Sequence, residues 1–412
     1  MGRAWLPDST LQRMITRDEF RAEASAFLEA NAKRRVEATQ VWGQGSDEVA
    51  FFPERTPEED AVMLAEAKEW RAKVYDAGFG WISGPETYGG RDLPREYERV
   101  WQSLENDYDV PSIGPFGIGL GMVAPTILAH AIEDVRRQYL APMYRGDIIA
   151  CQLFSEPVAG SDLAGIQTKA IRDGDEWILN GQKVWTSGAH YSDIGEIITR
   201  TTTFDDSRHR GLTMFLVDMR APGVEVRPLR QMTGGASFNE VFFTDVRIPD
   251  EMRLGDVDHG WTVALTTLMN ERMAIGGGGV GGGMNLANRL QALARHLGAA
   301  GDPHVRQQLA EVMIRMSVSR YTTMRAMAKM RGGQLPGPEL STLKLALTNN
   351  MQKTSELLTS VLGPRLIADT DEWGTYAWSA FVLSVPGMRV AGGTDEVLRN
   401  IVGERVLGLP KG

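Results

Sequence analysis

The feature that most narrows the fold is a change of hydrophobic period at Cys151 and its reversal near Arg253. Before that cysteine, apolar residues recur at helical spacing. "TRDEFRAEASAFLEANAKRR" puts Phe20, Ala24, Phe27 and Leu28 on one face with charges opposite. Thr16 and Glu19 have capping-box spacing. "TPEEDAVMLAEAKEWRAKVYDAGF" opens with Thr56, Pro57 and two acids and ends at Gly78, so it reads as a second helix. From Cys151 the texture changes to short β-rich runs parted by turn residues: "DEWILNGQKVWTSG", "GEIITRTTT", "LTMFLVDM", "GVEVRPL" and "NEVFFTDVRIP". Asn180-Gly181 lies between two apolar runs, which predicts a hairpin turn there. After "GDVDHGW" the helical spacing returns and persists almost to the C-terminus. The order is helical, then β, then helical, and the fold class expected is α+β.

Composition removes several function classes. With 412 residues, 42% of them hydrophobic, the chain has ample material for a sizeable core. Its net charge of −9 argues against a nucleic-acid partner. The single cysteine, Cys151, excludes an intrachain disulfide framework and a cysteine-cluster metal site. His130, His190, His209, His259, His296 and His304 show no metal-ligand spacing. The N-terminal residues lack the apolar core of a signal peptide, and no uncharged apolar stretch is long enough to span a bilayer. A cytoplasmic protein is expected.

Three stretches carry candidate chemistry. In "NERMAIGGGGVGGG" (270–283), seven of the last eight residues are glycine. The run lacks a Gly-Lys-Ser/Thr ending, and no strand leads into it, so neither a P-loop nor a dinucleotide fingerprint fits. A linker is one reading. A helix with a bare middle is the other, because helical runs flank it on both sides. From Glu271, the helical neighbours are Ile275, Gly278, Gly279 and Gly282, which leaves a groove beside a carboxylate. Alone, Glu271 reads as a solvated helix residue. "LFSEPVAGSDLAGIQTKA" (153–170) offers the hydroxyls of Ser155 and Ser161 and exposed backbone N–H groups around Gly160, suited to a heteroaromatic ring or a phosphate. An ordinary polar loop is the alternative. In "NGQKVWTSG", Trp185 supplies a flat face beside Thr186 and Ser187, suited to an aromatic cofactor or to a half-buried strand.

Taken together and in order, these runs resemble the acyl-CoA dehydrogenase family over nearly the whole chain. The segments "SEPVAGSDLAGIQTKA", "NGQKVWTSGA", "GGASFNEVFFTDVRIPDEMRLG" and "GGTDEVLRNIVGERVLGLP" carry the resemblance. It implies an N-terminal all-α domain (1–150), a small middle β-barrel or sandwich (151–255) and a C-terminal four-helix bundle (256–412). It also implies one non-covalent FAD per subunit and a homotetramer or homodimer. By position, Phe154, Ser155, Gly160 and Ser161 would contact the flavin, Ser161 also touching CoA. Trp185, Thr186 and Ser187 match the stretch packed on the isoalloxazine, with Ser187 near N5. Arg295 resembles the arginine that meets the FAD pyrophosphate of a neighbouring subunit, although the phenylalanine usual three residues on is missing. Gly363 fits a flavin segment, whereas Pro364 departs from it. Thr394 and Glu396 match FAD contacts in the C-terminal motif.

The resemblance also locates the base. Many family members carry the catalytic glutamate where this chain has Gly392, which has no group to accept a proton. A minority place it on a bundle helix in an acid-Arg pair, and "TLMNERMAIG" matches with Glu271 as the acid and Arg272 beside it on the substrate side. The implied reaction takes an acyl-CoA to the trans-2-enoyl-CoA: Glu271 removes the α-proton, and the β-hydrogen leaves as hydride to flavin N5. A carboxylate in a dry pocket becomes a stronger base. The Gly392 backbone N–H would remain an oxyanion donor. The glycines suggest room for a bulky, branched or long acyl group. An electron-transfer flavoprotein is the acceptor the family implies. An oxidase or monooxygenase of the same fold, a non-catalytic partner subunit of a heteromeric enzyme, and a cofactor-free scaffold stay as alternatives.

Overall fold

The computed structural model describes residues 15–35, 42–49, 55–202, 207–276, 286–331 and 341–410, with backbone only at 272–276, 327 and 329–331. Five helices come first: α1 Arg17–Asn31, α2 Pro57–Asp76, α3 Arg95–Glu105, α4 Ala124–His130 and α5 Glu133–Arg145. Between them lies a small ribbon of β1 Lys33–Arg34 and β2 Tyr108–Asp109. Both predicted helix starts are present. Thr16 and Thr56 each accept from the N3 backbone, while Glu19 and Glu59 return the bond to the cap residue. Phe20, Ala24 and Leu28 are buried against Trp70, Phe79 and Trp101, with the Phe79 and Trp101 rings stacked at 4.6 Å.

The β layer runs through β3 Ala150–Leu153, β4 Lys169–Asp173, β5 Glu176–Ser187, β6 Ile194–Arg200, β7 Leu212–Asp218, β8 Val224–Leu229, β9 Phe238–Pro249 and β10 Arg253–Leu254. These eight strands share one hydrogen-bonded sheet in the order β10-β7-β6-β4-β5-β9-β8, with β3 parallel to β6. The sheet curls on itself, so that Trp177 of β5 packs on Phe215 of β7 inside it. Every residue of β6 is buried, because Ile197 faces that interior while Ile194 and Ile198 face the helices.

The predicted hairpin at Asn180-Gly181 is not there: β5 continues straight through it. The turn falls one element earlier, where Asp173 pairs with Glu176 around Gly174 at φ +65°. At Asn180-Gly181 the register against β9 shifts instead, with the extra residue on the β9 side. Asn180 and Asp245 exchange two 3.0 Å hydrogen bonds across the irregularity. Gly181 is needed for closeness, since a Cβ there would lie 2.7 Å from the Thr168 Cα.

The C-terminal helices are α6 Gly260–Gly276, α7 Leu286–His296, α8 Pro303–Arg331, α9 Ser341–Leu362, α10 Trp378–Val390 and α11 Asp395–Ile401. Helices α7 to α10 share one core, into which Trp42 and Val49 from the N-terminal third also pack. The helix that carries Glu271 extends to Gly276. The remainder of the glycine run lies outside the described residues.

Helix α6 packs between the layers, against α4, α9, β6 and β7. A polar chain crosses this junction. Glu196 of β6 lies 2.6 Å from the Thr267 hydroxyl of α6, which lies 2.9 Å from Thr126 of α4, itself 2.9 Å from the Met122 carbonyl. Thr267 donates to the Glu196 carboxyl, and Thr126 donates to the Met122 carbonyl. Burial pushes this carboxyl up to about 8, against only partial relief from Thr267.

The proton held by folded Glu196 makes a pH signature. The unfolded carboxyl loses its proton near 4.5, the folded one only near 8. Its contribution to stability is therefore complete below the first value and drains away between the two. Glu196→Gln, which keeps an acceptor for Thr267 and cannot ionise, should match the wild-type melting temperature near pH 4.5 and exceed it at pH 8. Parallel melting curves at both pH values would contradict a neutral buried Glu196.

Candidate active site

The loop after β3 is set by a buried ion pair. Lys183, fully buried in β5, places its ammonium 2.8 Å from Glu156 and 3.0 Å from the Phe154 carbonyl. Glu156 also accepts the backbone N–H groups of Gln167 and Thr168 at 2.6 and 3.0 Å. Burial depresses the Lys183 ammonium to about 8, partly countered by Glu156. Burial alone would raise Glu156, but Lys183 and the two N–H donors hold it below the usual carboxylate range. Val184 N–H then donates to the Ser155 carbonyl at 2.8 Å. The loop 154–156 and the end of β5 are thereby locked side by side, which brings Phe154 and Ser155 to Trp185, Thr186 and Ser187. The Phe154 ring itself lies in the core shared by helices and sheet.

At Trp185 β5 bulges. The register against β9 shifts between Lys183 and Thr186, and Trp185 takes φ +61°. A bulky residue in this region costs roughly 1–3 kcal/mol, and the effect is to turn the ring outward, 62% exposed, with only its edge near Phe238 at 6.3 Å. Bulges beside active sites commonly re-aim a side chain in this way. Next to it, Thr186 is buried and its hydroxyl has no partner, while its carbonyl accepts from Asn239 at 3.0 Å. A flat exposed aromatic face, an orphaned buried hydroxyl and the half-buried Ser187 fit the edge of a flavin. Gly160 and Ser161 lie exposed at the rim of the same loop.

A second cluster forms on the bundle. Thr394 caps α11, accepting from Val397 N–H at 3.2 Å. Before it, Gly392 and Gly393 take φ +65° and +92°, a turn that side-chain-bearing residues enter only at a cost. Lys344 of α9 donates to the Gly393 carbonyl at 2.8 Å and to the Arg389 carbonyl at 3.0 Å. Behind it, buried Asp395 takes the Arg389 guanidinium at 2.8 Å and the Thr348 hydroxyl at 2.9 Å. Glu271, half-buried on α6, is close enough to act electrostatically on Lys344. Helix α6, which carries Glu271, packs against α9, which carries Lys344.

Other predicted residues stand apart in the single chain. Arg295 is exposed on the last turn of α7 and, among the described residues, reaches Gln291 at 3.5 Å. Gly363 begins a short turn after α9. Glu396 is exposed and pairs with Arg399 at 3.5 Å. Arg272 lies on α6, and its side chain falls outside the described residues. Three residues went unnoticed in the sequence: Lys183, Glu196 and Lys344. The available signal was a charged residue inside an apolar strand or helix face, which periodicity places inward without saying what meets it.

Comparison with known proteins gives the family. The acyl-CoA dehydrogenase middle domain matches residues 151–246, and the acyl-CoA dehydrogenase C-terminal domain matches residues 258–407. The chain belongs to the acyl-CoA dehydrogenase family, FAD-dependent oxidoreductases. It is 34% identical to acyl-CoA dehydrogenase IpdE1 of Mycobacterium tuberculosis (strain ATCC 25618 / H37Rv), over 96% of this chain and 98% of that protein. It is 40% identical to acyl-CoA dehydrogenase FadE34 of the same organism over 94% of this chain, but spans about half (52%) of that protein's length. Among solved structures, a variant of the Tcur3481-Tcur3483 steroid ACAD superposes with a TM-score of 0.72 at 26% identity, covering 96% of this chain and 99% of that one. The ChsE4-ChsE5 complex from Mycobacterium tuberculosis superposes at 0.69 and 24% identity over the full length of both chains. Among the described residues, no helix is long and apolar enough to cross a membrane, and no acid-histidine-cysteine cluster suits a metal.

The buried pair predicts an asymmetry. Lys183→Met leaves Glu156 charged and unpaired, and should cost about 3–5 kcal/mol in chemical denaturation together with loss of bound flavin. The double change Lys183→Met/Glu156→Gln should recover much of the stability. If the single variant denatures like wild type, the pair does not anchor the loop.

Proposed function

We propose that this chain dehydrogenates a bulky acyl-CoA, with a steroid-derived acyl group as the leading candidate, using Glu271 as the α-proton base. The observation that carries the reading is the pairing of two facts. The turn where many relatives hold their glutamate is here Gly392 in a left-handed conformation, and Glu271 lies half-buried on α6, which packs against the α9 helix whose Lys344 holds this turn. The family membership supports the acyl-CoA class, and the steroid designation of a structural relative supports the bulky acyl group.

The residues then divide the work. Trp185, Thr186, Ser187 and the Phe154–Ser155 backbone would hold the flavin, with Gly160, Ser161, Thr394 and Glu396 at its margins and Arg295 and Gly363 serving a neighbouring subunit. When bound, FAD accepts the β-hydrogen as hydride at N5. Glu271 takes the α-proton. The Gly392 N–H donates to the thioester oxygen as negative charge gathers there, a contribution typical of oxyanion donors. Ser161 would meet CoA and Arg272 the substrate, as the family resemblance implies. An electron-transfer flavoprotein would then take the electrons onward.

Assembly is part of the proposal. Ile314, Val318 and Tyr321 recur at helical spacing on one exposed face of α8, an apolar stripe suited to a subunit contact in a homotetramer or homodimer. The names of two structural relatives join two components each, which favours, as a second reading, a heteromeric enzyme in which this chain is one subunit.

Anaerobic bleaching of the flavin by butyryl-CoA, octanoyl-CoA and a steroid-side-chain CoA thioester tests the reading. Bleaching by the bulky thioester and slow reoxidation in an air pulse are expected; turnover confined to butyryl-CoA removes the bulky-substrate reading, and rapid reoxidation makes the protein an oxidase. Glu271→Gln should slow bleaching by about 10²- to 10⁴-fold. An unimpaired variant places the base elsewhere. Purification alone against co-expression with a second subunit separates the two assemblies by flavin content.

A further inference from the structure

Asn239 of β9 is fully buried, yet nothing in the proposed reaction uses it. Its amide nitrogen donates to the Thr186 carbonyl at 3.0 Å and lies 3.2 Å from Nδ1 of His190. The oxygen of the same amide is buried and, among the described residues, has no partner. An unsatisfied buried acceptor is costly, and an apolar side chain would fill the place without that cost. Packing alone therefore does not account for an amide here; its two N–H groups do.

The Thr186 carbonyl fixes which way the amide faces, because only the NH₂ end can meet an acceptor. The second N–H then points at His190, whose Nδ1 presents its lone pair. The proton of the ring sits on Nε2, which lies 3.6 Å from Asp60 of α2. The tautomer is thus set by partners at both ends of the ring. His190 stands in the short turn Ala189–Tyr191 that follows β5, entered through Gly188 at φ +65°. Gly188 N–H donates to the Ser237 carbonyl at 3.1 Å. The end of β5 is tied to β9 by this main-chain bond beyond Ser187 and by the Asn239 amide at Thr186.

We infer that Asn239 is a positioning residue for the flavin, holding the Thr186 carbonyl so that Trp185 keeps the conformation that turns its ring outward, with His190 orienting the amide for that task. The inference rests on the reading of this bulge as the flavin contact. A bulky residue stays at φ +61° only where its surroundings hold it. Relaxation of Trp185 to extended backbone needs rotation of the peptides on either side of it. Before it, Val184 N–H is bonded to the Ser155 carbonyl at 2.8 Å; after it, the Thr186 carbonyl is bonded to Asn239. The two bonds bracket the strained residue. Without Asn239 the second bracket opens, and Thr186 and Ser187 move with Trp185.

FAD release on dilution of the full-length holoprotein, followed by recovery of flavin fluorescence, is the test. Asn239→Leu should release FAD about tenfold faster than wild type. His190→Leu, which strands one amide N–H, should also release it faster, and His190→Asn, which returns an acceptor to the Nδ1 position, should restore slow release. Asn180→Leu is the control: it removes the two 3.0 Å bonds to Asp245 between the same strands, at the other irregularity, and should leave release unchanged. A purely structural role would make Asn180→Leu and Asn239→Leu behave alike and would give no rescue by His190→Asn. Fluorine NMR of fluorotryptophan-labelled protein reads the bulge directly. The Trp185 resonance, identified by its loss in Trp185→Phe, should move in Asn239→Leu and stay in place in Asn180→Leu. The two readings fail separately. If Trp185→Ala releases FAD no faster than wild type, the bulge is not the flavin contact. If Trp185→Ala is fast while Asn239→Leu matches wild type in release and in the Trp185 resonance, the inference about Asn239 fails. Should Asn239→Leu not fold, the His190 variants decide alone: equal release from His190→Leu and His190→Asn overturns the inference.

Discussion

The candidate site depends on two charges taken out of water together. Burying Lys183 and Glu156 separately would cost several kcal/mol each. Their 2.8 Å contact, with the Phe154 carbonyl and two backbone N–H groups completing the shell, makes the burial tolerable. The consequence is geometric. The loop that follows β3 cannot drift from the end of β5, and the bulge that turns Trp185 outward is braced from beneath. A hydrophobic pair of the same volume would fill the space, but it would not dictate which loop carbonyl meets which strand.

Two buried carboxyls elsewhere show how environment assigns opposite states to one functional group. Glu196 meets one threonine hydroxyl, that of Thr267, and burial raises it to about 8, so it stays neutral. Asp395 is as deeply buried, but Arg389, Thr348 and Lys344 overcome the cost of burial and hold it below its ordinary range. The first ties three layers of the fold together without placing a charge inside it. The second is part of a charged network, and that network sits at the turn where the reaction is proposed to occur. The division separates the part of the interior that stabilises from the part available for chemistry.

Much of the fold was legible from periodicity and capping. The change of period at Cys151 anticipated the sheet beginning at Ala150, and both threonine caps stand where their spacing put them. The error at Asn180-Gly181 has a definite cause: the same dipeptide serves a tight turn and a close backbone approach, and only the facing residue, Thr168, distinguishes them. The candidate site was legible in pieces. Motif resemblance picked out Trp185, Thr186 and Glu271, but it had no means of seeing Lys183, Glu196 or Lys344, whose meaning lies in partners between 27 and 71 positions away.

The amino-acid sequence by itself determined the order of helical and β parts, the helix starts, the absence of a base at Gly392 and the presence of an acid at Glu271. These are local properties, written in side-chain period and residue identity. The tertiary structure alone decided that Trp185 faces outward at a bulge, that burial raises the Glu196 carboxyl, and that Lys344 of α9 holds the turn at Gly392. Those outcomes follow from burial and from the field of distant groups, and neither exists until the layers close.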